Sequence, residues 1–306
     1  MLSRHQRRAI LSYGSPVSAL SMRSPQDWPI GVFDSGVGGL TVLRALQHQL
    51  PQESFVYFGD TAHVPYGNRT PSDIQTLARQ ILDWLVQHPV KMAIMACNTS
   101  SALALDLIRP EFEIPILGVI LPGARAAVQT GRRIGVIATP ATVASDCYPQ
   151  AILEIDPTVD VFQMACPEFV PLIESNQILH PSTRSIVWHR LQPLLEAEID
   201  TLVYGCTHYP HLAPIMAELL PSQVTVVDPA TQMAVAVAQE LDLLNLKSSC
   251  SLSPTRFFVS GNPDYFAHTS QDCLGFMPQV GAVHLPGLAI AGSSPTLVAD
   301  EAILGW

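Results

Sequence analysis

Short apolar runs alternate with helical stretches along this chain, and that alternation leaves few folds open to it. Ile30-Gly31-Val32-Phe33 reads as a strand, and the stretch from Leu40 to Leu50 reads as a helix stopped by Pro51. Ser54-Phe55-Val56-Tyr57-Phe58 reads as the next strand. Thr70-Pro71-Ser72-Asp73 then opens a helix, with Thr70 as N-cap, Pro71 at the first helical position and Asp73 near the positive end of the dipole. Ile74, Leu77, Ile81 and Leu85 recur at helical spacing, so that helix buries one stripe. Strand alternating with helix predicts an α/β fold whose parallel sheet is covered on both faces.

A chain of 306 residues can hold two domains of ordinary size, each with its own core. Hydrophobic residues make up 48% and charged residues 14%, the balance of a well-buried globular protein rather than a disordered one. The formal charge of −10 argues against a nucleic-acid surface, which needs clustered Lys and Arg. No apolar run approaches the length of a bilayer span. Cysteines 97, 147, 166, 206, 250 and 273 show no paired CxxC spacing, so zinc ribbons and disulfide frameworks are poor readings. Reduced thiols in a cytoplasmic enzyme fit better. The start of the chain differs: Arg4, Arg7, Arg8 and Arg23 occur with no acidic residue before Asp27. A transit peptide has that composition. The reading favoured is a disordered extension over residues 1–27, or an upstream start with Met22 as alternative initiator.

Two runs deliver a thiol in the same setting. Lys91 to Ala96 leads into Cys97-Asn98-Thr99-Ser100, and Thr201 to Gly205 leads into Cys206-Thr207-His208. Each reads as a buried strand with a cysteine and small polar groups at its carboxyl end, where open parallel sheets bind ligands. Ile30-Gly31-Val32 precedes Cys97 by 67 positions, and Ile134-Gly135-Val136 precedes Cys206 by 72. Chance similarity between two α/β units would also give this echo; the matched distances suggest two like parallel-sheet domains related by a pseudo-two-fold axis and facing one cleft. Asp34-Ser35-Gly36-Val37-Gly38-Gly39 and Gly59-Asp60-Thr61 bring further polar residues to strand ends. Amides of the glycine turn could hold a carboxylate. Its spacing is neither the dinucleotide fingerprint nor a P-loop.

A lone buried cysteine is more often structural than catalytic, and Cys147, Cys166, Cys250 and Cys273 are read that way. Cys97 and Cys206 differ through the polar residues beside them. A thiol ordinarily titrates near about 8.5, so a neighbouring group must manage its proton; Asp34 and His208 are the candidates. Glu174 could orient His208 or be solvated. Pro65-Tyr66-Gly67 reads first as a turn, in which Tyr66 could close over a ligand while Gly67 lets backbone approach it.

Five segments in order resemble bacterial glutamate racemase, of the aspartate/glutamate racemase superfamily, over about residues 28 to 290. They are Gly31 to Leu40, Gly59-Asp60-Thr61 with Pro65-Tyr66-Gly67, Ala96 to Ser100, Cys166 to Pro171, and Gly205-Cys206-Thr207-His208-Tyr209-Pro210. The resemblance implies a cofactor-independent isomerase, without a metal, that interconverts L- and D-glutamate and supplies D-glutamate for peptidoglycan. It implies Cys97 and Cys206 as the acid/base thiols, Asp34 assisting the first, and His208 with Glu174 assisting the second. Asp34, Ser35, Asp60, Tyr66, Gly67, Asn98, Thr99, Thr207 and His208 would contact the amino acid. Residues 28–122 with 229–306 would form one domain and 123–228 the other, and the chain would pair as a homodimer. His63 departs from the family, which more often carries Arg or Lys there, a change that bears on cleft charge and lid packing. The Arg-rich start and the tail after about residue 290 lie outside the resemblance.

Inverting an α-carbon means removing its proton from one face and returning one to the other. Two thiols fixed on opposite faces can do this without swinging across the carbon, given proximity and exclusion of water. Donors on Ser35, Asn98, Thr99 and Thr207 could stabilise charge developing on the carboxylate. Three alternatives remain at this stage. One is a racemase of another acidic amino acid such as aspartate. A second is a thiol-nucleophile hydrolase built on Cys206 and His208. The third is a module that binds an acidic amino acid without turnover.

Overall fold

A computed structural model describes residues 24–249 and 253–286. Its strands run in chain order as β1 (Ile30–Asp34), β2 (Phe55–Gly59), β3 (Met92–Met95), β4 (Ile116–Gly118), β5 (Arg133–Ala138), β6 (Asp160–Ala165), β7 (Thr201–Gly205), β8 (Thr225–Val227), β9 (Arg256–Val259) and β10 (Val280–Ala282). They form two sheets, of order β10-β9-β2-β1-β3-β4 and β6-β5-β7-β8, with every strand pair parallel. The second order repeats four strands of the first, β2-β1-β3-β4, strand for strand. Ile30-Gly31-Val32 lies in β1 and Ile134-Gly135-Val136 in β5, at matching places in that order. The sequence echo is therefore a repeat of topology.

Side chains alternate between the faces of each strand. Along β3, Met92 and Ile94 join one core with the helix Leu40–Gln49 and with Met233, Val237 and Leu241 of the helix Pro229–Leu243. Ala93 and Met95 join the other, against the helix Pro71–Gln87. That helix starts as its sequence dictates: the Thr70 side chain accepts from the Asp73 amide, Pro71 stands at the first turn, and Ile74, Leu77, Ile81 and Leu85 are buried. The cap stabilises by about 1 kcal/mol and each fully buried Leu or Ile by roughly 1.5–3 kcal/mol, so the stripe holds the helix and the cap fixes where it begins.

The chain crosses to the second sheet at the helix Ile120–Thr130, within which the expected boundary at residue 122 falls. Its Ile120 and Ala124 pack with Ile134, Val136 and Val203. Pro229–Leu243 brings the chain back to the first sheet, where β9 and β10 extend the edge beyond β2.

Of the extension expected over residues 1–27, the part up to residue 23 lies outside the described residues, as do Cys250 and the tail after residue 286. The last four residues correct that expectation. Pro25–Asp27 form a 3-10 helix with Asp27 buried, because buried Lys91 donates to the Gln26 carbonyl at 2.7 Å while paired with Glu53. This anchor sits at the start of β3. The polar residues gather at the other end of the strands.

Candidate active site

Both sheets direct their carboxyl ends at one cleft. Parallel register sets Phe33 of β1 level with Met95 of β3, and Ala138 of β5 level with Gly205 of β7. Cys97 and Cys206 follow just past those ends, in equivalent positions, and both line the cleft. Ser35, Tyr66, Gly67, Asn98, Thr99, Thr207 and His208 line it with them.

Cys97 caps the helix Asn98–Leu103, and its sulfur lies 4.0 Å from the Ser35 hydroxyl. Burial, reinforced by the negative charge of Asp34, pushes this thiol up to about 12. Cys97 is therefore held as the protonated thiol at neutral pH. Asp34 itself stands behind the lining. Its Oδ2 accepts from the Gly36 amide at 2.9 Å and its Oδ1 from the Thr207 hydroxyl at 3.2 Å. The carboxylate that the glycine turn holds is thus the chain's own. Asp34 also ties the first half of the molecule to the turn that carries the second cysteine. Gly38 makes this approach possible, since a Cβ there would stand 2.5 Å from the Thr207 hydroxyl oxygen.

The Cys206 sulfur lies 3.8 Å from Nδ1 of buried His208, whose Nε2 is 2.6 Å from Oε1 of Glu174. Glu174 ends the helix Phe169–Glu174, and that helix brings it to the imidazole from 34 residues away. Burial pulls the imidazole down, but its contacts with Cys206 and Glu174 outweigh burial and lift it well above its usual value. A proton on His208 is thus held between a thiol and a carboxylate. Glu174 reaches the imidazole from outside the cleft lining.

Asp60, expected among the substrate contacts, stands behind the cleft lining. It is fully buried, and its carboxylate accepts from the Tyr66 hydroxyl, lies 2.7 Å from His63 Nδ1 and accepts from Ser260 at 2.5 Å. A carboxylate so occupied holds Tyr66 in place at the cleft wall. His63, the family departure, serves that network and does not line the cleft. Gly67 lets a neighbour approach at the cleft wall, since a Cβ there would stand 2.7 Å from the Thr139 Cβ.

Sequence reasoning missed three lining features. Thr139 follows β5 as Ser35 follows the matching β1, so the Ile-Gly-Val echo was the signal that could have found it. Its hydroxyl meets those of Thr99 and Thr142 at 3.0 Å each, a buried cluster between the two halves. Cys166, read as structural, also lines the cleft, with its thiol pushed up by burial. Val170 and Pro171 form an apolar wall beside it, at the end of the Cys166 to Pro171 segment of the resemblance, to which no lining role was given. Among the described residues no group of three or more His, Cys, Asp or Glu is placed to hold a metal ion. No helix there is long and apolar enough to cross a membrane.

Two thiols stand at equivalent strand ends and face one cleft between like parallel sheets. The family model for Asp/Glu/Hydantoin racemase matches residues 30–238, and the chain belongs to that family. Within it the chain groups with the glutamate racemases, which are isomerases. The glutamate racemase of Trichormus variabilis is 58% identical over 271 residues, covering 89% of this chain and 93% of the relative. A Bacillus anthracis glutamate racemase isoform superposes with TM-score 0.82 at 36% identity, over 85% of this chain and 99% of its own. The Francisella tularensis glutamate racemase, solved in complex with D-glutamate, gives 0.80 at 34% identity, over 85% and 99%.

Proposed function

We propose that this protein interconverts L- and D-glutamate by proton transfer between two opposed cysteines without a cofactor. In the cell it would be a cytoplasmic homodimer that supplies D-glutamate for peptidoglycan. The observation that carries the reading is that Cys97 and Cys206 end matching strands and line the same cleft.

Glutamate lies between the two sulfurs with its α-carbon facing both. One sulfur, as thiolate, removes the α-proton; the other, as thiol, returns a proton to the opposite face. The roles exchange when the other enantiomer enters. Cys97, held as thiol in the free enzyme, starts as the acid in one direction and must first lose its proton in the other. His208, carrying a proton held by Glu174, faces the Cys206 sulfur and offsets negative charge there. Among the described residues no Lys or Arg lines the cleft, so charge growing on the substrate carboxylate falls to neutral donors on Ser35, Asn98, Thr99 and Thr207. Such donors are fixed by the fold before substrate arrives and need no rearrangement as charge develops. Thr139 and the Tyr66-Gly67 turn close the remaining wall.

Incubation of the purified protein with L-glutamate and, separately, L-aspartate in D2O, without added cofactor, tests the reading. Deuterium at the glutamate α-carbon together with loss of optical rotation is expected. Exchange on aspartate alone would move the substrate to the shorter acid, and exchange on neither would sink the racemase reading.

A further inference from the structure

Tyr148 lies in the helix Cys147–Ile155 of the second half, and no step of the mechanism above uses it. It is fully buried, with its ring in the apolar cluster that includes Ala127, Ile134, Ile152 and Val203. That hydroxyl donates to Oδ1 of Asn98, across the boundary between the halves, at 2.7 Å. Asn98 is also buried, stands one residue after Cys97 and lines the cleft.

A primary amide has two unlike edges, one that only accepts hydrogen bonds and one that only donates them. An amide free to turn presents either edge to a ligand with similar ease. A donor fixed behind it removes that freedom, because turning the amide would set its NH2 group against the donor and leave Oδ1 without its partner. A buried polar atom that loses its partner costs far more than an exposed one. With Oδ1 held by Tyr148, the NH2 edge is left for the cleft. That edge suits a carboxylate oxygen and repels an ammonium group.

We propose that Tyr148 is a positioning residue that locks the Asn98 amide donor-side to the cleft and so sets the charge sign this subsite accepts. The proposal rests on the reading of Asn98 as a substrate contact. It adds that the specificity of the contact is imposed from the opposite half of the molecule. Tyr148 suits the task because its place in the apolar core fixes the ring, and the hydroxyl can move only with the helix that carries it.

The test is steady-state kinetics on the full chain with both glutamate enantiomers. Tyr148→Phe, which keeps the ring, is expected to raise KM about tenfold while kcat changes no more than about twofold. Asn98→Ala alone is expected to raise KM at least as much. In the Asn98→Ala background, Tyr148→Phe is expected to add nothing further, since the two act through one amide. A full KM penalty for Tyr148→Phe on that background would mark its role as structural and overturn the proposal. So would an unchanged KM in the single variant. An unchanged KM in Asn98→Ala would instead sink the substrate-contact reading itself. Asn98→Asp leaves the core untouched and decides the matter should Tyr148→Phe not fold. It replaces the donor edge with an acceptor, so its KM is expected to exceed that of Asn98→Ala by a further tenfold or so. Equal KM values in those two variants would overturn the donor-edge assignment.

Discussion

The two sheets share one strand order, yet they equip their cysteines differently. In the first half, β1 ends in Asp34 and Ser35, and the thiol after β3 opens a helix beneath a buried carboxylate. In the second, β5 ends in Ala138 and Thr139, and the thiol after β7 leads into a turn that holds a buried imidazole. Topology thus fixes where each sulfur sits, while the few residues past each strand end decide how its proton is held. One sulfur is kept as thiol by burial and negative charge; the other faces a group that carries a proton. The halves are alike in position and opposite in electrostatics.

The strongest way to break this comparison is to remove a sulfur. Cys97→Ala and Cys206→Ala are each expected to slow interconversion by about 10³-fold or more, with circular dichroism and Tm close to wild type. A folded variant of either kind that keeps its rate would leave the two-thiol proposal without support. Serine in place of either cysteine probes the difference more finely. Enantiomers have equal free energy, so kcat/KM stays the same from both sides in any variant, and the contrast must be sought elsewhere. With α-deuterated substrates, the isotope effect is expected to be larger for the enantiomer whose proton the replaced side chain removes. The sense should reverse between Cys97→Ser and Cys206→Ser. Identical effects from both sides would mean that the halves do not divide the work by face.

The imidazole gives the next test, with a definite sign. Its value in the folded protein lies above the unfolded value near about 6.5. The stability it contributes is therefore fully present below about 6.5 and lost as the pH rises through the raised value, at roughly 1.4 kcal/mol for each tenfold gain in proton affinity on folding. The Tm advantage of wild type over His208→Gln should be larger at about pH 6 than at about pH 9.5; an advantage growing with pH would reverse the assignment. The smallest expected effect belongs to Asp60→Asn. Loosening Tyr66 should raise the glutamate KM by about three- to tenfold with little change in kcat, because a buried hydrogen bond behind the cleft wall weakens while the substrate keeps its own partners. A collapse of kcat would place Asp60 back among the groups that meet substrate.

Much of this was legible in the sequence. The helix at Thr70, the strands at Ile30 and Ser54 and both cysteines could be read, because each is a local pattern of periodicity, cap or strand end. The features that escaped depend on which residues meet across the fold. Asp34 and Asp60 both stand at the ends of expected strands, and nothing nearby in the chain reveals that Thr207 occupies one and Tyr66 with Ser260 the other. Glu174 was an open case until the fold set it 2.6 Å from His208. Thr139 carried no role from the sequence, because an echo of three residues is too short to tell a shared site from chance similarity. Tyr148 gave no signal at all, since a buried tyrosine in a helix is ordinary until its hydroxyl is seen to cross to the other half.

The repeated strand order has one more consequence. A rotation carries an object into a copy of the same handedness, whereas the two substrates differ in handedness. Two copies of one sheet therefore cannot present a molecule and its mirror image with mirrored surroundings, however similar their backbones. A chiral polymer that must serve both forms is left with a compromise: like scaffolds, with unlike chemistry grafted at their tips. Under the two-thiol mechanism proposed above, the mismatch between carboxylate and imidazole is how a handed protein would treat both hands of one small molecule.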